Sequence, residues 1–197
     1  MPRMSIVRHM GHIEWAYGLA KDLLETALPR RWAHTQGVAS QAETLGRILG
    51  ADADTLVAAC LVHDIGYAPD LVDTGMHQLD GARYLRDVAG ADEQLCRLVA
   101  HHSCADNEAR QRDLLDVLVK EFDQGRPELA RALTYCDMTT GPDGRLLDVH
   151  DRLAEIHARY GPEHVVSRSI NDATPCIVSS VRAVEAALSD VREADAG

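Results

Sequence analysis

The sequence predicts an all-α protein, a bundle of helices, and three observations predict it. Ala, Leu, Arg, Asp and Glu dominate, aromatic residues make up 4%, and β-branched runs are scarce, a composition that favours helix over strand. Apolar residues recur at three- and four-residue spacing in one segment after another. Turn clusters rich in Gly, Pro, Asn and Asp punctuate the chain at intervals of helical length.

The first helix, about 12–28, has the stripe Ile13, Ala16, Ala20 and Leu23 or Leu24; His9 and His12, ahead of that stripe, are assigned no function. The second, about 33–49, carries Val38, Ala42, Leu45 and Leu49, with His34 on the same stripe. In the third, 53–64, Leu56 and Cys60 align with His63, and Gly66 follows as a C-cap. His77 aligns with Gly81, Leu85 and Val88 in 76–89; His102 aligns with Leu95, Leu98 and Val99 in 92–102, with His101 beside that stripe. Segments 108–122, 127–138 (Ala130, Leu133 and Asp137), 146–160 and 163–189 follow. The last is expected to break before Pro175, because proline disfavours helical geometry in the residue ahead of it. His150, His157 and His164 read as surface residues, since Gly161 and Pro162 interrupt any continuous face.

With 197 residues the chain should bury about 70% of its unfolded surface. It has no internal repeat, low-complexity tract or linker, which predicts one domain over 1–197. A net charge of −11 argues against general nucleic-acid or anionic-membrane binding, because repulsion opposes both encounters. Small anions are not excluded: the 20 basic residues include only two lysines, Lys21 and Lys120, and an arginine fork clamps phosphate bidentately. The chain has no apolar run near the roughly 20 residues of a membrane span, and its N-terminus has no apolar signal region, so the expected location is cytoplasmic. Five widely spaced cysteines without CxxC predict neither a disulfide framework nor a zinc ribbon.

Six imidazole or carboxylate side chains on or beside core-facing stripes are costly unless they meet partners, since an isolated buried carboxylate costs several kcal/mol or changes protonation state. A shared metal is one such partner, and this donor set suits Mn, Fe, Co, Ni or Zn. For any single histidine, a hydrogen-bonded core role explains the position as well; the joint pattern favours the metal.

Three motifs then carry a resemblance: RRWAHTQGVASQAETLG supplies a first His, AACLVHDIG a His-Asp pair, and ALTYCDMTTG a final Asp. Over about residues 30–140 the chain resembles the HD superfamily of metal-dependent phosphohydrolases, with the helices of 146–189 outside the match. The resemblance implies an HD-type helical bundle with the metal between helices, held by His34, His63, Asp64 and Asp137. His77 (MHQLDGARYL) and His101 (LVAHHSCA) resemble the extra histidines of two-metal subfamilies, and His102 ranks below His101 as a ligand. One or two divalent ions are implied, Fe or Mn favoured and Co, Ni or Zn admissible. A bound cation lowers the pKa of its water to about 7, so the implied reaction is phosphate ester hydrolysis by metal-activated water. Asp64 would anchor or bridge the ions, and His101 or His102 would assist the leaving group. Arg31, Arg83, Thr140 and Arg145, with Thr139, are the candidate substrate contacts, and the 67–75 loop is the candidate rim.

Subfamily departures narrow the substrate. Tyr67 stands where many relatives have Lys; HDIGYA has no HDxxED acids, against (p)ppGpp hydrolysis; and HHSCADNEARQRD lacks the GYP motif of cyclic-di-GMP phosphodiesterases. The ligand order is similar to that of small bacterial HD proteins that cleave dinucleoside polyphosphates, which makes a nucleotide or related phosphoanhydride the preferred substrate. The same order occurs in mixed-valent di-iron oxygenases of the superfamily. A non-catalytic nucleotide- or metal-sensing module and a purely structural helical protein rank behind both enzymes. Val178, Val181, Val184 and Leu188 would complete the core or form a homodimer contact.

Overall fold

The computed structural model describes residues 11–196. Its helices are α1 (His12–Leu24), α2 (Pro29–Glu43), α3 (Gly46–Leu49), α4 (Ala53–Val62), α5 (His77–Tyr84), α6 (Glu93–His101), α7 (Asp106–Gln111), α8 (Leu115–Glu121), α9 (Pro127–Met138), α10 (Val149–Tyr160) and α11 (Val165–Ala196). Among the described residues no strand forms; Thr140 and Leu146 make an isolated antiparallel bridge. No described helix is long and apolar enough to cross a membrane.

Every residue of α4 from Leu56 to Val62 is buried, as expected of a helix apolar all round. Helices α1, α2, α6 and α9 pack around it. The C-terminal end of α4 therefore delivers His63 and Asp64 into the middle of the bundle. On the far side α9 packs on α11, which also contacts α7 and α10.

Several boundaries differ from the sequence expectation for local reasons. Helix α2 starts at Pro29, four residues early, because proline suits the first helical turn, where its missing N–H has no partner to lose. The 108–122 segment splits in two at Asp113, whose φ is 58°. Val88, expected inward, is 70% exposed, because residues Leu85–Ala89 form a π-helical turn that shifts the register.

Pro175 does not break α11. The carbonyl it leaves without a donor belongs to Asn171, and both residues are exposed, so water can satisfy it. The neighbouring Thr174 Oγ1 donates to the Ile170 carbonyl at 2.7 Å. A disulfide joins Cys104 to Cys176 across 72 residues; packing of the 102–104 turn on α11, invisible in the spacing, makes this pair. Cys60, Cys96 and Cys136 are free and buried.

Candidate metal centre

Five elements aim side chains at one point. His34 comes from α2, His63 and Asp64 from the end of α4, His77 from the start of α5, and Asp137 from α9. His102 follows α6, where the chain leaves helical geometry (φ −63°, ψ 152°). Two close backbone approaches make the convergence possible. A Cβ on Gly66 would lie 1.9 Å from the His77 carbonyl oxygen, so only glycine lets the turn after Asp64 rest directly on α5. Gly66 has ordinary φ, not the left-handed value of a C-cap; its role is steric. A Cβ on Gly37 would lie 2.4 Å from the Gly144 oxygen, so the 141–144 loop seats against α2 beside His34.

The side chains fall into three overlapping groups, His34/His63/Asp64, His63/His102/Asp137 and Asp64/His77/His102, with the donor atoms of each within 4.8 Å of one another. All are buried or nearly so. Asp64 Oδ2 lies 3.4 Å from His63 Nε2 and 3.9 Å from His34 Nε2, and Asp64 Oδ1 lies 3.3 Å from His77 Nε2. Asp137 Oδ1 lies 3.0 Å from His34 Nε2 and 3.9 Å from His63 Nε2.

Main-chain carbonyls decide what these rings present. His34 Nδ1 meets Gly141 O at 3.0 Å, His63 Nδ1 meets Cys60 O at 2.7 Å, and His102 Nδ1 meets Val99 O at 2.7 Å. A carbonyl only accepts, so each Nδ1 carries a proton, and Nε2 is the nitrogen that each ring turns to the centre. His63 Nε2 is buried and has no hydrogen-bond partner among the described residues. His77 Nε2 and His102 Nε2 face each other at 3.2 Å. Converging ring nitrogens and carboxylates of this kind fit a divalent cation.

Burial alone would push the Asp64 carboxyl up, but the Arg31 guanidinium and the facing His63, His77 and His34 rings hold it well below the usual range. Asp137 is likewise held down against burial by its bond to His34 and by His63. Burial lowers His77 well below its ordinary value and, with the neighbouring His63, lowers His102. His77 and His102 are thus held toward the neutral form beside anionic carboxylates, the forms that ligate metal. Arg31 Nη1 donates to Asp64 Oδ2 at 2.5 Å, and its guanidinium lies 3.6 Å over the Tyr67 ring, which stacks on His77 at 3.9 Å. A cavity of about 70 Å³ opens over the carboxylates.

Residues 31–125 match the HD domain family. The chain carries an HD domain. That domain belongs to a superfamily of mostly metal-dependent phosphohydrolases. Ribonuclease Y of Rubrobacter xylanophilus is 32% identical over 133 residues, 66% of this chain and 24% of that protein; the chain spans about a quarter of the length of this curated relative. No solved structure matches the chain. His34, His63, Asp64, His77 and His102 lie inside the HD domain match, and Asp137 joins them from beyond it.

The structure corrects the ligand expected from LVAHHSCA: His102, not His101, enters the HD cluster. His101 ends α6 with its ring turned away, its Nδ1 3.0 Å from Asp106 Oδ1 and its Nε2 2.9 Å from Phe122 O. It can therefore neither ligate at the centre nor protonate a leaving group there. Those two acceptors outweigh burial and raise its pKa, while the bond to His101 lowers Asp106. The raised His101 contributes stability that is full below its ordinary 6.5 and is lost as pH rises through the folded value. The lowered Asp106 contributes above its ordinary 3.8 and loses this as pH falls. His101→Ala is accordingly expected to cost about 2 kcal/mol at pH 6 and less at pH 9, by thermal unfolding, while metal content is unchanged. A cost independent of pH would refute the ion-pair account.

Three expected substrate contacts are not at the cavity. Arg83 is tied to Glu121 at 2.6 Å and Asp73 at 3.5 Å. Thr140 is fully buried, donating to the Cys136 carbonyl. Arg145 is 85% exposed beside Asp143. Thr139 is buried too, bonded to the Tyr135 carbonyl. Of the 67–75 loop, Tyr67 lines the cavity, while 73–75 are pinned by the Asp80 carboxylate. Sequence reasoning missed Ser103, whose Oγ donates to Asp137 Oδ2 at 2.5 Å from a left-handed backbone (φ 52°). It also missed Arg152, although Arg152 sits on the buried stripe Val149, Leu153 and Ile156, a legible signal.

Proposed function

We propose that this chain is a metal-dependent phosphohydrolase that holds one or two divalent ions, Fe or Mn favoured, with His34, His63, Asp64, His77, His102 and Asp137. Its substrate on this reading is a nucleotide or related small phosphate ester or anhydride. The observation that carries the reading is the set of three imidazoles locked by Nδ1–H bonds to carbonyls, with their Nε2 atoms converging on two carboxylates and His63 Nε2 unpartnered.

A divalent cation bound there supplies Lewis acidity and a water acidified toward neutrality. The chain's own residues do the rest. Asp64 serves two of the three donor groups and stays ionised against burial. Arg31 brings a half-buried guanidinium to Asp64 Oδ2, where it can exchange its hold on Asp64 for a substrate phosphate. Ser103 fixes the second carboxylate oxygen of Asp137.

The ribonuclease relative puts RNA forward as a substrate; the net charge of −11 favours a small phosphorylated molecule, because a polyanion is repelled over a wider surface. A cytoplasmic location and a homodimer belong to the same reading, and the Cys104–Cys176 disulfide stands against the former, since reducing compartments disfavour such bonds. The test is elemental analysis of protein purified without chelators, followed by phosphate-release assays on the metal-loaded chain. About one to two ions per chain with phosphate release supports the proposal. No metal after reconstitution overturns it, as does iron with substrate-dependent oxygen consumption and no hydrolysis.

A further inference from the structure

We infer that Arg152 and Arg159 of α10, with Arg31, form an anion subsite that grips a second, non-scissile phosphate, so that the substrate carries at least two phosphoryl groups. The inference rests on the phosphohydrolase reading for the word substrate; the subsite itself is argued from the cavity and its arginines.

Two cavities meet at these residues. The inner one lies over the Asp64 and Asp137 carboxylates, and an outer compartment of about 290 Å³ is walled by Ala27, Leu28, Pro29 and Pro142, with Arg30 beside them. Arg31, Arg152 and Arg159 line both, together with His34. The partition between the compartments is therefore cationic. Its two α10 members lie outside the 31–125 match.

Arg152 is 5% exposed, an unusual position for a guanidinium unless its donors are satisfied. Its Nη1 donates to Glu155, but its buried Nε has no partner among the described residues. Arg159 Nε lies 3.5 Å from the same Glu155, so one carboxylate is shared by two guanidiniums. Arg31 is taken by Asp64. The partition thus holds more positive charge than its own carboxylate neutralises, and it holds a buried donor facing no acceptor. A purely structural Arg152–Glu155 pair accounts for Nη1 and leaves Nε unexplained. A phosphate oxygen satisfies Nε and accepts from Arg159 as well, in the bidentate manner that arginine favours. A molecule with one phosphoryl group over the carboxylates and the next at the partition would leave its organic end for the apolar outer walls.

The test compares methylenediphosphonate with methylphosphonate by calorimetry on the full chain, treated with chelator so that only the protein's own groups bind. The expected result is at least about tenfold tighter binding of the diphosphonate, most of it lost in Arg152→Gln and in Arg159→Gln. Thermal unfolding checks each variant; should Arg152→Gln fail to fold, the more open Arg159→Gln decides alone. Equal or absent binding of the two probes, or a preference that survives Arg159→Gln, overturns the subsite. Metal analysis reads the other claim separately: a chain without metal that keeps the diphosphonate preference sinks the phosphohydrolase reading and spares the subsite. A loaded, active chain without the preference does the reverse.

Discussion

Gly66→Ala is expected to lower stability by about 3 kcal/mol, at the top of the usual range for overpacking, and to loosen the candidate metal centre with it. The added Cβ would stand 1.9 Å from the His77 carbonyl oxygen, 2.8 Å from its carbon and 2.7 Å from the Gly81 nitrogen. All three are main-chain atoms of α5, so no side chain can swing aside. Either the 65–67 turn or the start of α5 must shift, and each carries a member of the cluster: Asp64 precedes the turn and His77 opens the helix. For a chain of this size the cost corresponds to a fall in Tm of roughly 6–12 °C. Gly18→Ala is the internal control, because a Cβ there meets nothing within 4 Å and the residue lies inside α1; it should gain about 0.5–1 kcal/mol. Equal melting temperatures for Gly66→Ala and wild type would show that the turn and α5 separate freely.

The same glycine shows what the sequence could and could not disclose. Helical periodicity put His34, His63, His77, His102 and Asp137 on inward stripes, and the structure brings all five together. It also set His101 beside the His102 stripe rather than on it; the resemblance to two-metal subfamilies ranked the pair the other way, and the decision falls at the helix end. There His102 takes extended geometry while His101 swings to Asp106 and the Phe122 carbonyl. Substrate contacts were guessed from nearness in sequence to the motifs, which is how Arg83 and Arg145 entered. Their side chains follow local carboxylates instead, Glu121 and Asp143. Pro175 departs from expectation for a related reason: the penalty of proline within a helix assumes an unsatisfied carbonyl, and this one belongs to an exposed residue that water can reach. The Cys104–Cys176 bond needs the packing of the 102–104 turn against α11, a contact between segments that spacing does not encode.

His63→Ala and His102→Ala should each weaken metal binding by about 100-fold or more, beyond the 10–100-fold typical of losing a supporting partner, whereas His101→Ala should retain the full metal content. His63 belongs to two of the three donor groups, and so does His102; removing either leaves only one complete group of three. Each ring also has its Nδ1 committed to a carbonyl, so no neighbouring histidine can rotate to replace it without breaking such a bond. His101 sits one residue from His102 and is buried as well, which makes it the control for damage to packing alone. Metal per chain after dialysis against a weak chelator, read beside each variant's unfolding curve, separates ligation from folding. Were His101→Ala to lose the metal and His102→Ala to keep it, the orientation of the two rings would be reversed and the centre would have to be rebuilt around His101. Were all three to keep it, the metal would be held elsewhere, and the assignment of the His63 and His102 Nε2 atoms as its ligands would fall.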